Sequence, residues 1–185
     1  MTLIIATNGV ITTRLGQKTD NVPASFEAAE ILGVEAPRYL GFEDQYLDTL
    51  PVSDLANALD AVIPDVDTVI THSRKDLNLD HRLVAEAVAI VTRPVNRRCS
   101  VLACETPGEA AWNAQRWMPN FYVDVTGFVE TKILAFARYG SEARPAPHPR
   151  SSEALRALAL VRGSESGLPA AEAFELVRGY PGILG

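Results

Sequence analysis

The stretch Thr71-His72-Ser73-Arg74-Lys75-Asp76-Leu77-Asn78-Leu79-Asp80-His81 concentrates the chemistry of this chain. Two of its three histidines fall within ten residues, together with Asp76 and Asp80. Imidazole and carboxylate groups at that density can hold a divalent metal, move a proton or orient one another. Asn78 suits the N-cap of a following helix, which makes Asp80 the second helical residue and His81 the third. A carboxylate there is favoured by the unpaired N–H groups and the helix dipole. A histidine beside a carboxylate can be held as one neutral tautomer, leaving a nitrogen free for a metal. Each residue also has a plainer duty: Asp80 as a helix-start residue, His81 packed or facing water, His72 as a loop histidine, Asp76 capping the loop or orienting an imidazole. Catalytic zinc usually takes three protein ligands, so the Asp80–His81 pair is not a complete metal site.

A second set lies in the C-terminal third. Asp124 interrupts an apolar strand-like run and wants a partner. Lys132, Tyr139, Ser141, Glu142, Arg162, Glu165, Glu172 and Glu175 follow, and helix-surface positions account for many of them. His148 sits in a loop stiffened by Pro145, Pro147 and Pro149, which can present one side chain to a pocket.

The elements that must position these groups alternate. Leu3–Thr7 reads as an apolar strand, Thr12–Asn21 as a long polar loop, and Pro23 as the first residue of a helix that stops at Gly33. Arg38–Leu40 is a weak strand and Gly41–Thr49 an acidic loop. A helix covers about Val52–Val62, where Leu55, Leu59 and Val62 share a face. Thr68–Thr71 is a strand, and Leu79–Val91 a helix with Val84, Val88 and Val91 inward. Val101–Glu105 and Phe121–Val125 are strands. Phe128–Tyr139, Ser152–Val161 and Ala170–Val177 read as helices. Short apolar strands alternating with helices predict an α/β domain, a Rossmann-like three-layer fold with a mostly parallel sheet. Such a domain binds ligands at the C-terminal ends of its strands, and the end at Thr71 is the one crowded with capable side chains.

The chain has 185 residues, which fits a single domain over 1–185. Its 47% hydrophobic content and 22% charged content exclude disorder as the dominant state. The 17 basic and 23 acidic side chains leave a formal charge of -6, which argues against a general nucleic-acid binder. Cys99 and Cys104 fit neither C-x-x-C nor a zinc knuckle and read as buried thiols. No apolar run approaches a membrane span, and residues 1–7 lack the basic start of a signal peptide. A cytoplasmic location is the expectation.

Four stretches resemble the PIG-L, or LmbE-like, family of N-acetylglucosaminyl deacetylases: Thr71–Val84, Asp124–Glu142, His148–Arg150 and Arg162–Glu175. The opening Thr2–Gly9 is similar to the second strand of that fold, and Asp44 falls where members carry an aspartate after the third strand. The resemblance implies a zinc-dependent hydrolase that removes an acetyl group from an amino sugar or sugar conjugate. It implies that His81 is a metal ligand and that Asp80 is the supporting aspartate beside it. Asn78 stands where some members carry a second histidine that steadies the tetrahedral intermediate. An amide donates a hydrogen bond but carries no positive charge, so that role is weaker here. His148 would supply a further group from the C-terminal region, across a subunit boundary if the protein forms a homo-oligomer.

The chain departs from the family at its start. Members open with a strand, an H-P-D-D-E type motif and a helix, which supply two metal ligands and the general base. The only H-P pair here is His148-Pro149, followed by Arg150. The chain therefore reads as N-terminally truncated relative to the family, without the first strand and helix. The missing strand would lie centrally, beside the one ending at Thr71. Its loss leaves unpaired backbone on both neighbours, at a cost above the roughly 5–15 kcal/mol net stability of a domain. A start codon placed too late, a partner or swapped segment in the slot, or a rearranged non-catalytic fold would each account for it, and the first is the expectation. The rival function is a non-catalytic relative that binds a sugar-like ligand or a protein partner. A nucleotide enzyme is weaker, because neither G-x-G-x-x-G after a strand nor a P-loop occurs.

Overall fold

Among the described residues the strands form three separate sheets, a small hairpin and two half-sheets that do not pair with each other. The computed structural model describes residues 1–12 and 16–180. β1 (Ile4–Thr7) is followed by a hairpin of β2 (Val10–Thr12) and β3 (Lys18–Asp20), then α1 (Val22–Leu32) and β4 (Arg38–Phe42). A 3-10 turn, Leu47–Thr49, leads to α2 (Val52–Asp60), β5 (Thr68–Thr71) and α3 (Leu79–Val91). β6 (Ser100–Cys104), the short α4 (Glu109–Trp112), β7 (Phe121–Asp124), α5 (Val129–Phe136), α6 (Ser152–Ser166) and β8 (Ala171–Arg178) complete the order.

The α/β architecture is the one expected. β1 pairs parallel with β4, and β5 parallel with β6. Antiparallel pairing enters through β8, which lies between β6 and β7 in the order β5-β6-β8-β7. α2 and α3 cover one face, where Leu55, Leu59, Val88, Val91 and Val101 form the core with Ile4, Ala6 and Val69 against them. Cys104 and its cross-strand partner Phe174 face the other side, as does Glu172, whose carboxylate pairs with Lys132 of α5. α1 ends as expected at Gly33, whose φ of 66° is the left-handed conformation that a residue with a Cβ rarely adopts.

Three expectations are corrected. Ala170–Val177 is not a helix: Ala171–Arg178 is strand β8, paired on both edges, and its Ala171, Ala173 and Phe174 are buried. The polar stretch after Thr7 holds the β2–β3 hairpin, while residues 13–15 of that stretch lie outside the described ones. The helix beginning at Ser152 runs on to Ser166, closed by Gly167.

Both cysteines are free; Cys99 is buried, and burial raises both thiols, Cys104 to about 11. At pH 8 less than about 0.1% of Cys104 is then thiolate. Native protein is expected to react with Ellman's reagent only slowly and to release two equivalents promptly in denaturant; a fast equivalent from native protein would contradict this packing.

β1 and β5 do not pair with each other. Each has one hydrogen-bonded neighbour among the described residues. A cavity of about 370 Å³ has Leu3–Thr7 on one wall and His72, His81 and Val84 on another. Amides of β1 and β5 turned away from their single partner strand should exchange with little protection, whereas those of β6, paired on both edges, should be slow. Hydrogen exchange followed by NMR checks this, and uniform protection along β1 and β5 would show the two half-sheets to be joined.

Candidate functional site

The segment joining β5 to α3 is fixed by its own side chains. Asn78 caps α3 as expected, its Oδ1 accepting from the N–H of Asp80 at 2.9 Å and of His81 at 3.5 Å. The Asn78 N–H donates to Asp76 Oδ1 at 2.9 Å. Arg82 donates to the carbonyls of Asp76 and Leu77, and Asn113 Nδ2 to that of Lys75. Lys75 Nζ reaches Glu175 Oε1 on β8 at 2.6 Å. These ties hold the loop against β8 and the first turn of α3, so its polar groups are set before any ligand arrives.

His72, Asp76 and His81 meet at this junction. His81 Nδ1 lies 3.0 Å from Asp76 Oδ2, and the Asp76 side chain is only 1% exposed. The His72 and His81 rings stack with centroids 3.9 Å apart and planes 4° from parallel. Burial lowers the His72 pKa to about 4, and the neighbouring His81 adds to this. Burial works to raise the Asp76 carboxyl, but the His81 imidazole and the Asn78 N–H outweigh it and hold it below the usual range. The loop therefore presents a neutral imidazole, an ionised carboxylate and a second imidazole.

Asp80 is placed differently from the reading that set it beside His81. Its buried carboxylate accepts from the Gln45 N–H at 2.8 Å, so it braces the loop after β4. Its pKa is raised, first by burial and then by Asp48, against the lowering pull of the Gln45 and Leu47 N–H groups. Asp76 is the carboxylate against His81. The signal for it was present in its place five residues before His81 in the same short loop. Asp44 lines the cavity with Asp80; burial and Asp80 raise its pKa, and its Oδ2 has no hydrogen-bond partner. Tyr139, from the turn after α5, reaches the same cavity.

The structure brings Asn78, Asp80 and His81 to that cavity, but not His148. The His148 ring stands edge-on to Trp112 at 5.9 Å, and its Nδ1 accepts from the Arg150 N–H at 3.1 Å. A larger cavity, about 470 Å³, lies between α5, α6 and the β6–β8 region. Its charges are matched, Arg162 with Glu105 and Lys132 with Glu172.

The comparisons with known proteins agree with this geometry. The family model described as PIG-L, GlcNAc-PI de-N-acetylase, matches residues 22–92, which include the whole His72–His81 loop. No curated protein matches the chain by sequence. Conserved protein TT1542 from Thermus thermophilus superposes with a TM-score of 0.70 at 22% identity, over 97% of this chain and 83% of that one. N,N'-diacetylchitobiose deacetylase from Pyrococcus horikoshii gives a TM-score of 0.63 at 21% identity, over 94% and 71%. GalB, a 4-carboxy-2-hydroxymuconate hydratase from Pseudomonas putida, gives 0.59 at 24%, over 85% and 71%. Among these solved structures one fold carries both deacetylase and hydratase chemistry, so the fold by itself does not assign a reaction. The match to the PIG-L family model is confined to residues 22–92, and the fold that the chain shares with these solved structures extends over nearly all of it.

Proposed function

We propose that this protein is a metal-dependent hydrolase that removes an acetyl or similar acyl group from the nitrogen of an amino sugar or sugar conjugate. The observation that carries the reading is the His72–Asp76–His81 group just after β5, whose two histidines line the cavity. One donor atom from each residue lies within 4.8 Å of the others. His72 Nδ1, Asp76 Oδ2 and His81 Nδ1 are buried without an aligned hydrogen bond. Nitrogen and oxygen donors of this kind fit a divalent cation such as zinc. His81 would hold it, with Asp76 and His72 the donors nearest to hand.

A bound zinc supplies an acidified water and polarises the amide carbonyl. The chain's own part is to position substrate and move protons. Asn78 spends its Oδ1 on the helix cap, which leaves its Nδ2 to donate to a developing oxyanion. Asp80 and Asp44, both with raised proton affinity, are the carboxyls that can take a proton and return it to the departing amine. His148 joins only if the 145–150 segment swings in or a second copy brings its own, which is the role a homo-oligomer would have. No described helix is long and apolar enough to cross a membrane. A small sugar-derived substrate met in the cytoplasm belongs to the same reading.

The test is release of primary amine from N-acetylglucosamine, its β-linked disaccharide and lipid- or glycan-linked N-acetylglucosamine. Each is assayed with the chelated protein and after zinc is restored. Zinc-dependent amine release from one of them is expected. Saturable sugar binding with no release from any would establish the non-catalytic reading instead.

A further inference from the structure

We infer that Trp112, with Arg150 and its carboxylate partners Glu109 and Glu142, forms a second sugar subsite on the rim of the cavity that His72 and His81 line, one that takes a neutral pyranose ring joined to the N-acylated one. This rests on the sugar-hydrolase reading and deepens it. The substrate becomes an oligosaccharide or a neutral glycoconjugate in place of a single amino sugar. The four residues stand just outside the lining of that cavity.

Two ties place them there. On one side, Asn113 Nδ2 donates to the Lys75 carbonyl at 2.7 Å and reaches that of Asp76 at 3.4 Å. Trp112 is the preceding residue, about 3.8 Å away between Cα atoms, so its indole is carried by the same contact that meets Asp76 behind His81. On the other side, Tyr139 lines the cavity, and its carbonyl accepts from the Glu142 N–H at 2.8 Å. Glu142 is near enough to Asp44, also in the lining, to help raise its carboxyl. Arg150 closes the arc: it is bound to Glu142, and at 3.0 Å to Glu109, three residues before Trp112. The rim therefore runs from Asp76 to Asp44 through these four groups.

The chemistry of the rim fits a sugar ring, which has an apolar C–H face and a girdle of hydroxyls. Trp112 is 55% exposed and offers an open apolar plate. The plate is held in place: His148 stands against it at 5.9 Å, and a Cβ on Gly108, whose φ is 91°, would lie 3.2 Å from the indole. Beside it the Arg150 guanidinium bridges two carboxylates that are 16% and 25% exposed. Fixed in this way, their free lone pairs can accept from sugar hydroxyls. Two carboxylates against one guanidinium leave an excess of negative charge, which favours a neutral ring over a phosphate or a uronate.

The experiment titrates the full chain by calorimetry with N-acetylglucosamine, its β-linked disaccharide and N-acetylglucosamine 1-phosphate, with chelator present so that no turnover intervenes. Wild type, Trp112→Ala and Trp112→Tyr are compared. Wild type is expected to bind the disaccharide about tenfold tighter than the monosaccharide, the scale of one aromatic stack. Trp112→Ala should erase that advantage, bringing the disaccharide down to the affinity of the monosaccharide. Trp112→Tyr keeps a smaller plate and should restore part of it. A merely structural tryptophan would weaken both sugars together, and that result would overturn the subsite. Equal binding of both sugars by wild type, no binding of the disaccharide, or tighter binding of the 1-phosphate than of the disaccharide would overturn it as well. Amine release from the monosaccharide, with no preference for the disaccharide, would overturn the subsite alone. A disaccharide preference that depends on Trp112, without amine release once zinc is restored, would leave the subsite standing and end the hydrolase reading.

Discussion

His81→Ala is expected to abolish zinc-dependent amine release, lowering kcat/KM by about 10³-fold or more. The imidazole is supported both by its geometry and by its place in the segment that the family model matches. It lines the cavity, it has Asp76 behind it, and it lies within residues 22–92. The fold should survive the change. The His81 N–H that meets Asn78 Oδ1 belongs to the backbone and is kept, alanine is the best helix former, and the side chain is 24% exposed and outside the main core cluster. Unfolding curves should therefore shift by no more than about 1 kcal/mol while turnover is lost. Asp80→Asn sets the contrast. Asparagine still accepts from the Gln45 N–H through its amide oxygen, so the brace to the loop after β4 is kept while the titratable carboxyl is removed. A loss of turnover without a loss of zinc would place Asp80 in proton transfer. His81→Ala with more than a tenth of wild-type turnover would remove His81 from the chemistry.

What could be read in advance from this chain was what is local. The Asn78 cap, strand β5 and helix α3 depend on residues close to one another in sequence, and they stand as expected. The stretch Ala171–Arg178 misleads because alanine, glutamate and leucine favour a helix when judged alone. Its state is decided by β6 on one side and β7 on the other, more than forty residues away in each case, and pairing on both edges overrides a propensity of a few tenths of a kcal/mol per residue. The same distance problem hides the site's inner wiring. Asp80 adjoins His81 in sequence, but on a helix adjacent residues point about 100° apart, so the neighbour in chain order is not the neighbour in space. Asp80 turns to Gln45, and the loop folds Asp76 back onto the ring. His148 has no such local constraint, and its place against Trp112 follows from packing between two loops.

Arg162→Leu is expected to cost the fold about 3 kcal/mol, a fall in Tm of roughly 10 °C for a chain of this size. Arg162 of α6 donates to both oxygens of Glu105, at 2.9 and 2.6 Å, just beyond the end of β6. It also donates to Glu165, whose Oε2 accepts from Tyr122 on β7. The Arg162 and Glu105 side chains are 15% and 14% exposed, so little water remains to take over the interaction. The network raises the guanidinium pKa, the Glu105 hydrogen bonds outweighing the lowering by burial. Removing the guanidinium strands a carboxylate in an apolar cavity wall beside Leu155, Leu158 and Phe174. The penalty lies in that stranded charge more than in the lost attraction, and the double variant separates the two. Glu105→Leu with Arg162→Leu should recover most of the loss, since an apolar pair of similar volume is often as stable as the ion pair it replaces. Denaturant unfolding of the two single variants and the double variant gives the coupling directly. Additive losses would mean that the two charges are independently solvated. Recovery in the double variant would show that the bridge tying α6 to β6 and β7 is costly to break by halves and adds little as a whole.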